Sequence, residues 1–266
     1  MRIGPLTAAM AALGGLALTS PALAQAAKPP ATPPVSTTSQ AATGISPEAD
    51  KLLKQMSDYL GAAGAFTFHA DVLFDHVLPS GQKIQFSAME DVALKRPNQL
   101  YVEWTGDLGD RQFWYDAGAV TLFDPSKPFY ASAPAPADID SMLNGVQALA
   151  QFTPPLADFL YRDPYGTVKD KVVYAVDLGP RNVDGKTCRS LAFVEKDVDF
   201  QIWIDAGPKP LPCKLLITYR NRPSAPQFSA VFSDWNFAPQ FEAGAFAPEI
   251  PATAKKIPFA TAAEAR

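Results

Sequence analysis

The ten residues AFTFHADVLF, residues 65–74, decide how the rest of the chain is read. Their apolar positions recur every second residue. Phe66, Phe68, Ala70, Val72 and Phe74 fall on one face; Thr67, His69 and Asp71, with Asp75 just beyond, fall on the other. A period of two belongs to a half-buried β-strand, whose successive side chains point to opposite faces. Immediately upstream the period is helical. In ISPEADKLLKQMSDYL, residues 45–60, Ser46 can cap, Pro47 suits the first helical position, and Glu48 and Asp50 complement the helix dipole. Leu52, Leu53, Met56 and Leu60 then make one apolar stripe over about four turns. That helix needs a surface to lie on.

Downstream the strand pattern continues. PSGQ (79–82) turns the chain, and KIQFSAMEDVALKR (83–96) puts Ile84, Phe86, Ala88, Val92 and Leu94 together. QLYVEW (99–104), RQFWYD (111–116) and AVTLFD (119–124) follow, with DAGA (116–119) as a hairpin turn. Short strands separated by turn residues indicate an antiparallel meander. The middle is different: DIDSMLNGVQALAQF (138–152) has helical spacing behind Asp138, and PPLADFLY (154–161) offers a further helical turn. Strand signals resume in VVYAVDL (172–178), VDGKTCRSLAFVE (183–195), DFQIWID (199–205), CKLLITY (213–219) and FSAVFSDWNF (228–237). The chain therefore predicts roughly eleven strands interrupted by one helical insertion. One continuous apolar face and few helices favour an α+β domain, mainly antiparallel β, in which a large curved sheet wraps its helices. Helices that fail to fill such a sheet leave an apolar cavity suited to a hydrophobic ligand.

Composition narrows the function. A chain of 266 residues with 47% hydrophobic and 19% charged residues can build a sizeable core, and a formal charge of −4 gives no basic footprint, so nucleic acid is not an expected partner. Residues 1–24, MRIGPLTAAMAALGGLALTSPALA, carry Arg2, an apolar run from Leu6 to Leu18 and the small-x-small site Ala22-Leu23-Ala24. This is the pattern of a signal peptide cleaved after Ala24. The run is shorter than the roughly 20 residues that span a bilayer, so the mature chain is expected to be periplasmic with no transmembrane segment. Residues 25–44 are rich in Pro, Ala, Ser and Thr and read as a flexible linker. A single domain is expected over 45–250, followed by a C-terminal tail over 251–266.

In an oxidising compartment Cys188 and Cys213, 25 residues apart, read as a disulfide, with two reduced structural thiols as the alternative. A simple meander leaves one strand between them, a separation of nearly 10 Å at about 4.8 Å per strand, whereas a bond needs less than about 7 Å. The bond therefore requires that the middle strand has ended, or that the sheet curls strongly, where the cysteines sit; the prolines of GPKPLPC (207–213) can supply the first condition. No catalytic motif, metal-ligand spacing or cofactor signature stands out. His69, Asp71 and Asp75 read as a solvated face, and Asp197 and Asp199 as a turn. No catalytic residue, metal or cofactor is expected, and the chain is not read as an enzyme.

ALKRPNQLYVEW (93–104) followed by FWYDAGAVTLFDP (113–125) resembles the strand pair of periplasmic lipoprotein carriers of the LolA/LolB-like superfamily. The order of helix, long hairpin, insertion and second meander and the ending FAPEIP (246–251) are similar too. FQIWIDAGPKPLPCKLLITY (200–219) with CRSLAF (188–193) resembles a family of predicted periplasmic proteins of unknown function, number 2092. The superfamily implies an incomplete β-barrel closed by a helical lid over a cavity for acyl chains. It also implies that Arg96, in Lys95-Arg96-Pro97-Asn98, matches the lid-latching arginine; an edge arginine ending its strand is the plainer alternative. On this reading the ligand-binding residues are Phe86, Val92, Leu94, Arg96, Val102 and Trp104, and the partner is a lipid or the acyl chain of a lipoprotein. The alternative is a module that binds or senses an envelope protein, with a filled cavity.

Overall fold

The computed structural model describes residues 44–150 and 156–259. The expected signal peptide, nearly all of the expected linker and the last residues of the tail lie outside this range. The described chain begins with a two-residue strand β1 (Gly44–Ile45) and helix α1 (Pro47–Ala62). Ser46 caps α1 by accepting from the Ala49 amide, as its position predicted. The first meander then runs through β2 (Ala65–Val77), β3 (Lys83–Lys95), β4 (Gln99–Gly106), β5 (Arg111–Asp116), β6 (Ala119–Asp124) and β7 (Phe129–Pro134). The insertion supplies α2 (Ile139–Ala150), a 3-10 turn (Ala157–Leu160) and the short α3 (Pro164–Val168). A second meander follows: β8 (Tyr174–Val183), β9 (Lys186–Val194), β10 (Val198–Asp205), β11 (Pro212–Tyr219) and β12 (Gln227–Asn236). A two-residue strand β13 (Lys255–Lys256) closes the order.

All strands join one open sheet in the order β1-β8-β9-β10-β11-β12-β2-β3-β4-β5-β6-β7-β13. The two meanders fuse where β12 pairs antiparallel with β2, Phe228 opposite Phe74 and Ala230 opposite Val72. Strands β2 to β12 number eleven, as expected, although β7 falls in none of the stretches read as strands, and β1 and β13 add short parallel pairings at the two edges. Gly44 pairs with Tyr174, and Lys255 and Lys256 pair with Phe129 and Tyr130, so parts of the linker and tail cover edge amides that would otherwise be open to other chains.

The topology explains where the helices lie. Strand β7 sits beside one edge and β8 beside the other, so the insertion must travel across the sheet to connect them. Helix α1 packs against β8, β10 and α3. Its stripe of Leu53, Met56 and Leu60 is buried against inward residues such as Phe66, Leu191 and Ile202. Gly61 permits the close approach: a Cβ there would stand 2.0 Å from the Arg162 carbonyl oxygen. Because that neighbour is backbone, a side chain would push the insertion away from the helix.

The disulfide Cys188–Cys213 is formed, with 6.8 Å between Cα atoms. The middle strand β10 ends at Asp205, directly opposite Cys188. Between β10 and β11 the register jumps from Trp203–Lys214 to Ile204–Pro212, which leaves Cys213 as the unpaired residue of a bulge. The early strand end and the bulge together bring the sulfurs within reach across a strand.

Candidate functional site

Under α1 and α3 the sheet and the helices do not meet everywhere. A cavity of about 570 Å³ remains between them and the inward faces of β10 and β11. Alternation dictates the floor: Phe200 and Ile202 point inward from β10, and their register partners Ile217 and Leu215 do so from β11. Leu53 and Met56 of α1 form the roof, and Phe159 of the 3-10 turn one wall. Phe159 is fixed by an edge-to-face contact with Phe232, centroids 5.2 Å apart. The volume lies within the range of about 300–1,000 Å³ common for small-molecule sites.

One end of the cavity is polar. Asp158 on the 3-10 turn, Lys171 after α3, Glu195 at the end of β9 and Arg222 after β11 converge there with Tyr219. Arg222 lies over the Tyr219 ring, 4.7 Å from its centroid. Burial pushes the carboxyls of Asp158 and Glu195 above the usual range, and Lys171 pulls each partly back. Burial likewise raises the Tyr219 hydroxyl. Despite this proximity, among the described residues no ion pair joins any two of these four charged side chains.

The residues singled out from sequence lie elsewhere on the same face. Phe86, Val92 and Leu94 on β3 and Val102 and Trp104 on β4 all occupy concave positions but do not line this cavity. Val92 and Leu94 are closed into the core. Phe86 and Trp104 are partly exposed and pack on Phe74, at 5.9 and 5.8 Å between centroids. Glu90 sits between them on the concave face, opposite Ala70 and Trp104. Burial, with the like charge of Asp91 second, pushes its carboxyl up to about 7.

Arg96 is buried, its side chain 4% exposed. It donates from Nε to the carbonyl of Ala63, just after α1, and from Nη2 to the carbonyl of Tyr161, just after the 3-10 turn, at 3.2 and 2.9 Å. Asp140 of α2 stands 3.9 Å from Nη1. One side chain at the end of β3 thus ties the sheet to three parts of its helical cover. Burial lowers the guanidinium pKa and Asp140 counters it.

The histidine face behaves as a surface. His69 bonds Asp91 at 2.7 Å and stands 3.6 Å from Asp71, which raises its pKa chiefly through the Asp91 hydrogen bond. Among the described residues no group of three or more His, Cys, Asp or Glu is arranged to hold a metal, and no helix is long and apolar enough to cross a membrane.

The described residues thus form one mainly antiparallel sheet that does not close on itself, covered by helices over a cavity with an apolar floor and one polar end. The chain belongs to the family described as Predicted periplasmic protein (DUF2092), whose model matches residues 49–260. No curated protein matches the sequence. Solved structures that resemble it include an uncharacterized conserved protein from Thermus thermophilus, at 10% identity over 79% of this chain and 99% of that one, TM-score 0.45. LprF from Mycobacterium bovis is similar at 14% identity over 79% of this chain and 99% of that one, TM-score 0.41. A LolA superfamily protein from Nitrosomonas europaea is similar at 11% identity over 76% and 98%, TM-score 0.35.

Proposed function

We propose that the chain binds one hydrophobic ligand, a lipid or the acyl chain of a lipoprotein, in the cavity between α1, α3 and strands β10 and β11, and carries it through the periplasm. The observation that carries this reading is the cavity itself: about 570 Å³ bounded by Leu53, Met56, Phe200, Ile202, Leu215 and Ile217, none of which needs a polar partner. Apolar walls of that extent lose contact with water when an acyl chain enters, worth about 0.8 kcal/mol per buried methylene. Arg96 acts as the latch that holds the helical cover on the sheet. The partly exposed Phe86, Val102 and Trp104 offer a second apolar surface for the same kind of ligand. The disulfide and the family's description both fit an oxidising periplasmic compartment.

A second reading, a module that binds or senses an envelope protein, draws on the other half of the concave face, where the rings of Phe66, Phe68, Trp235 and Phe237 pack on one another. Native mass spectrometry of protein purified from the periplasm without detergent, followed by lipid extraction and titration with a fluorescent acyl probe, separates the two. Binding predicts a retained lipid mass or saturable uptake of one probe per chain. A clean unliganded mass with no uptake overturns it, and stable co-purification of an envelope protein favours the second reading.

A further inference from the structure

The polar end of the cavity has a composition that a simple acyl-chain site does not require. Four charged side chains reach it from four separate segments. Each segment is held by its own backbone bond: Lys171 N–H to the Val168 carbonyl at 2.9 Å, Glu195 N–H to Val198 at 2.8 Å, Arg222 N–H to Tyr219 at 3.2 Å, and Phe159 N–H, next to Asp158, to Leu156 at 3.2 Å. The two cations, Lys171 and Arg222, are exposed at the rim; the two carboxylates, Asp158 and Glu195, are half-buried behind it. Their charges sum to zero, yet among the described residues no ion pair forms between them. Charges that converge at a cavity mouth without pairing have hydrogen-bonding capacity to spare.

We propose that this cluster is a headgroup subsite for a zwitterionic amphiphile, in which an acyl chain is joined to a phosphate and a primary amine. The proposal rests on the reading of the cavity as an acyl-chain site and adds the chemistry of the other end. The ammonium donates to Asp158 and Glu195, and the phosphate accepts from Lys171 and from the Arg222 guanidinium, which Tyr219 holds by stacking. A fatty-acid carboxylate satisfies the cations and faces two carboxylates. A cationic amphiphile meets the reverse problem. An uncharged headgroup leaves all four charges as they are. Burial has already made both carboxyls harder to ionise, and an ammonium beside them reverses that.

The test is displacement of a fluorescent acyl probe from delipidated protein by three ligands with the same palmitoyl chain: lysophosphatidylethanolamine, lysophosphatidylglycerol and palmitate. The wild type is expected to hold the ethanolamine lipid about tenfold more tightly than either of the others. Glu195→Gln is expected to erase that preference without weakening the glycerol lipid, and Lys171→Met to weaken both phospholipids. Equal affinity for all three in the wild type, or an unchanged ranking in Glu195→Gln, overturns the headgroup subsite and leaves the acyl-chain reading standing. Failure of all three to displace or bind overturns both. If a variant misfolds, the wild-type ranking alone decides. Free phosphoethanolamine that competes as well as its lysolipid would place recognition in the headgroup chemistry alone and contradict an amphiphile site.

Discussion

On β2, β3 and β4 the concave positions carry Phe66, Phe68, Phe74, Phe86 and Trp104; on β10 and β11 they carry Phe200, Ile202, Leu215 and Ile217. In the first region rings occupy the space above the sheet. Phe68 lies 4.6 Å from Trp235 and Phe66 5.8 Å from both Trp235 and Phe237, so the aromatics pack on one another. In the second region the side chains are mostly aliphatic, the facing helix contributes only Leu53 and Met56, and space is left. Both floors are apolar and both alternate with period two. What differs is the volume delivered from above. A concentration of aromatic residues therefore marks where this sheet is filled, and the aliphatic half marks where it can receive something.

Arg96 stands where the filled region meets the helical cover, and its removal should have the largest effect. Arg96→Leu strips the Ala63 and Tyr161 carbonyls of their donor and is expected to cost about 3–4 kcal/mol. Chemical denaturation measures the loss, and limited proteolysis should cut the segment 135–173 first while the sheet core survives. Unchanged stability and unchanged cleavage would reduce Arg96 to an edge residue.

The disulfide braces the empty region, since it ties β11, which supplies half of the cavity floor, to β9. Replacing both cysteines by serine is expected to cost about 3 kcal/mol for a loop of this length. The loss should fall more heavily on probe affinity than on the packing of β2–β4. Hydrogen exchange on the two meanders reads that asymmetry directly, and equal loosening of both would break the contrast.

Glu90 supplies a smaller effect in the filled region. Its folded-state pKa, about 7, lies above its ordinary value of 4.5, so the folded chain holds this proton more tightly than the unfolded one. Stability from this group is full below pH 4.5 and is lost as pH rises through about 7. Discounted for partial exposure, the loss is about 2 kcal/mol. Glu90→Gln should therefore raise the unfolding midpoint at pH 8 and flatten its decline between pH 5 and 8. A variant with the wild-type pH profile would show that the carboxyl is solvated.

Much of this fold was legible in the sequence because alternation is local. Phe66 to Phe74 announced their face without reference to any other segment, and the Ser46-Pro47 start of α1 needed only its own first turn. The disulfide was legible as a condition, that β10 must end or the sheet curl where the cysteines sit; β10 ends at Asp205, and the bulge at Ile204–Pro212 is a device that proline content alone did not specify. The cavity was not legible. Alternation states which side chains of β10 and β11 point inward, but not how far above them the helix axis rests. That distance depends on contacts such as Gly61 against Arg162, which are remote in sequence. The polar cluster was hidden for the same reason. Residues 158, 171, 195 and 222 lie at the ends of four different elements and share no spacing. The ligand residues chosen from β3 and β4 followed the apolar and aromatic signal, which marks packing as readily as it marks binding.

The central claim is that the cavity over β10 and β11 is the main ligand site, and a pair of variants tests it most directly. Ile217→Trp puts a large side chain into the cavity floor, whereas Trp104→Ala opens the patch on β4. Titration with a fluorescent acyl probe should show about tenfold or greater loss of affinity for Ile217→Trp and a much smaller loss for Trp104→Ala. Wild-type affinity in Ile217→Trp together with lost binding in Trp104→Ala would contradict the account and move the site to the opposite half of the sheet.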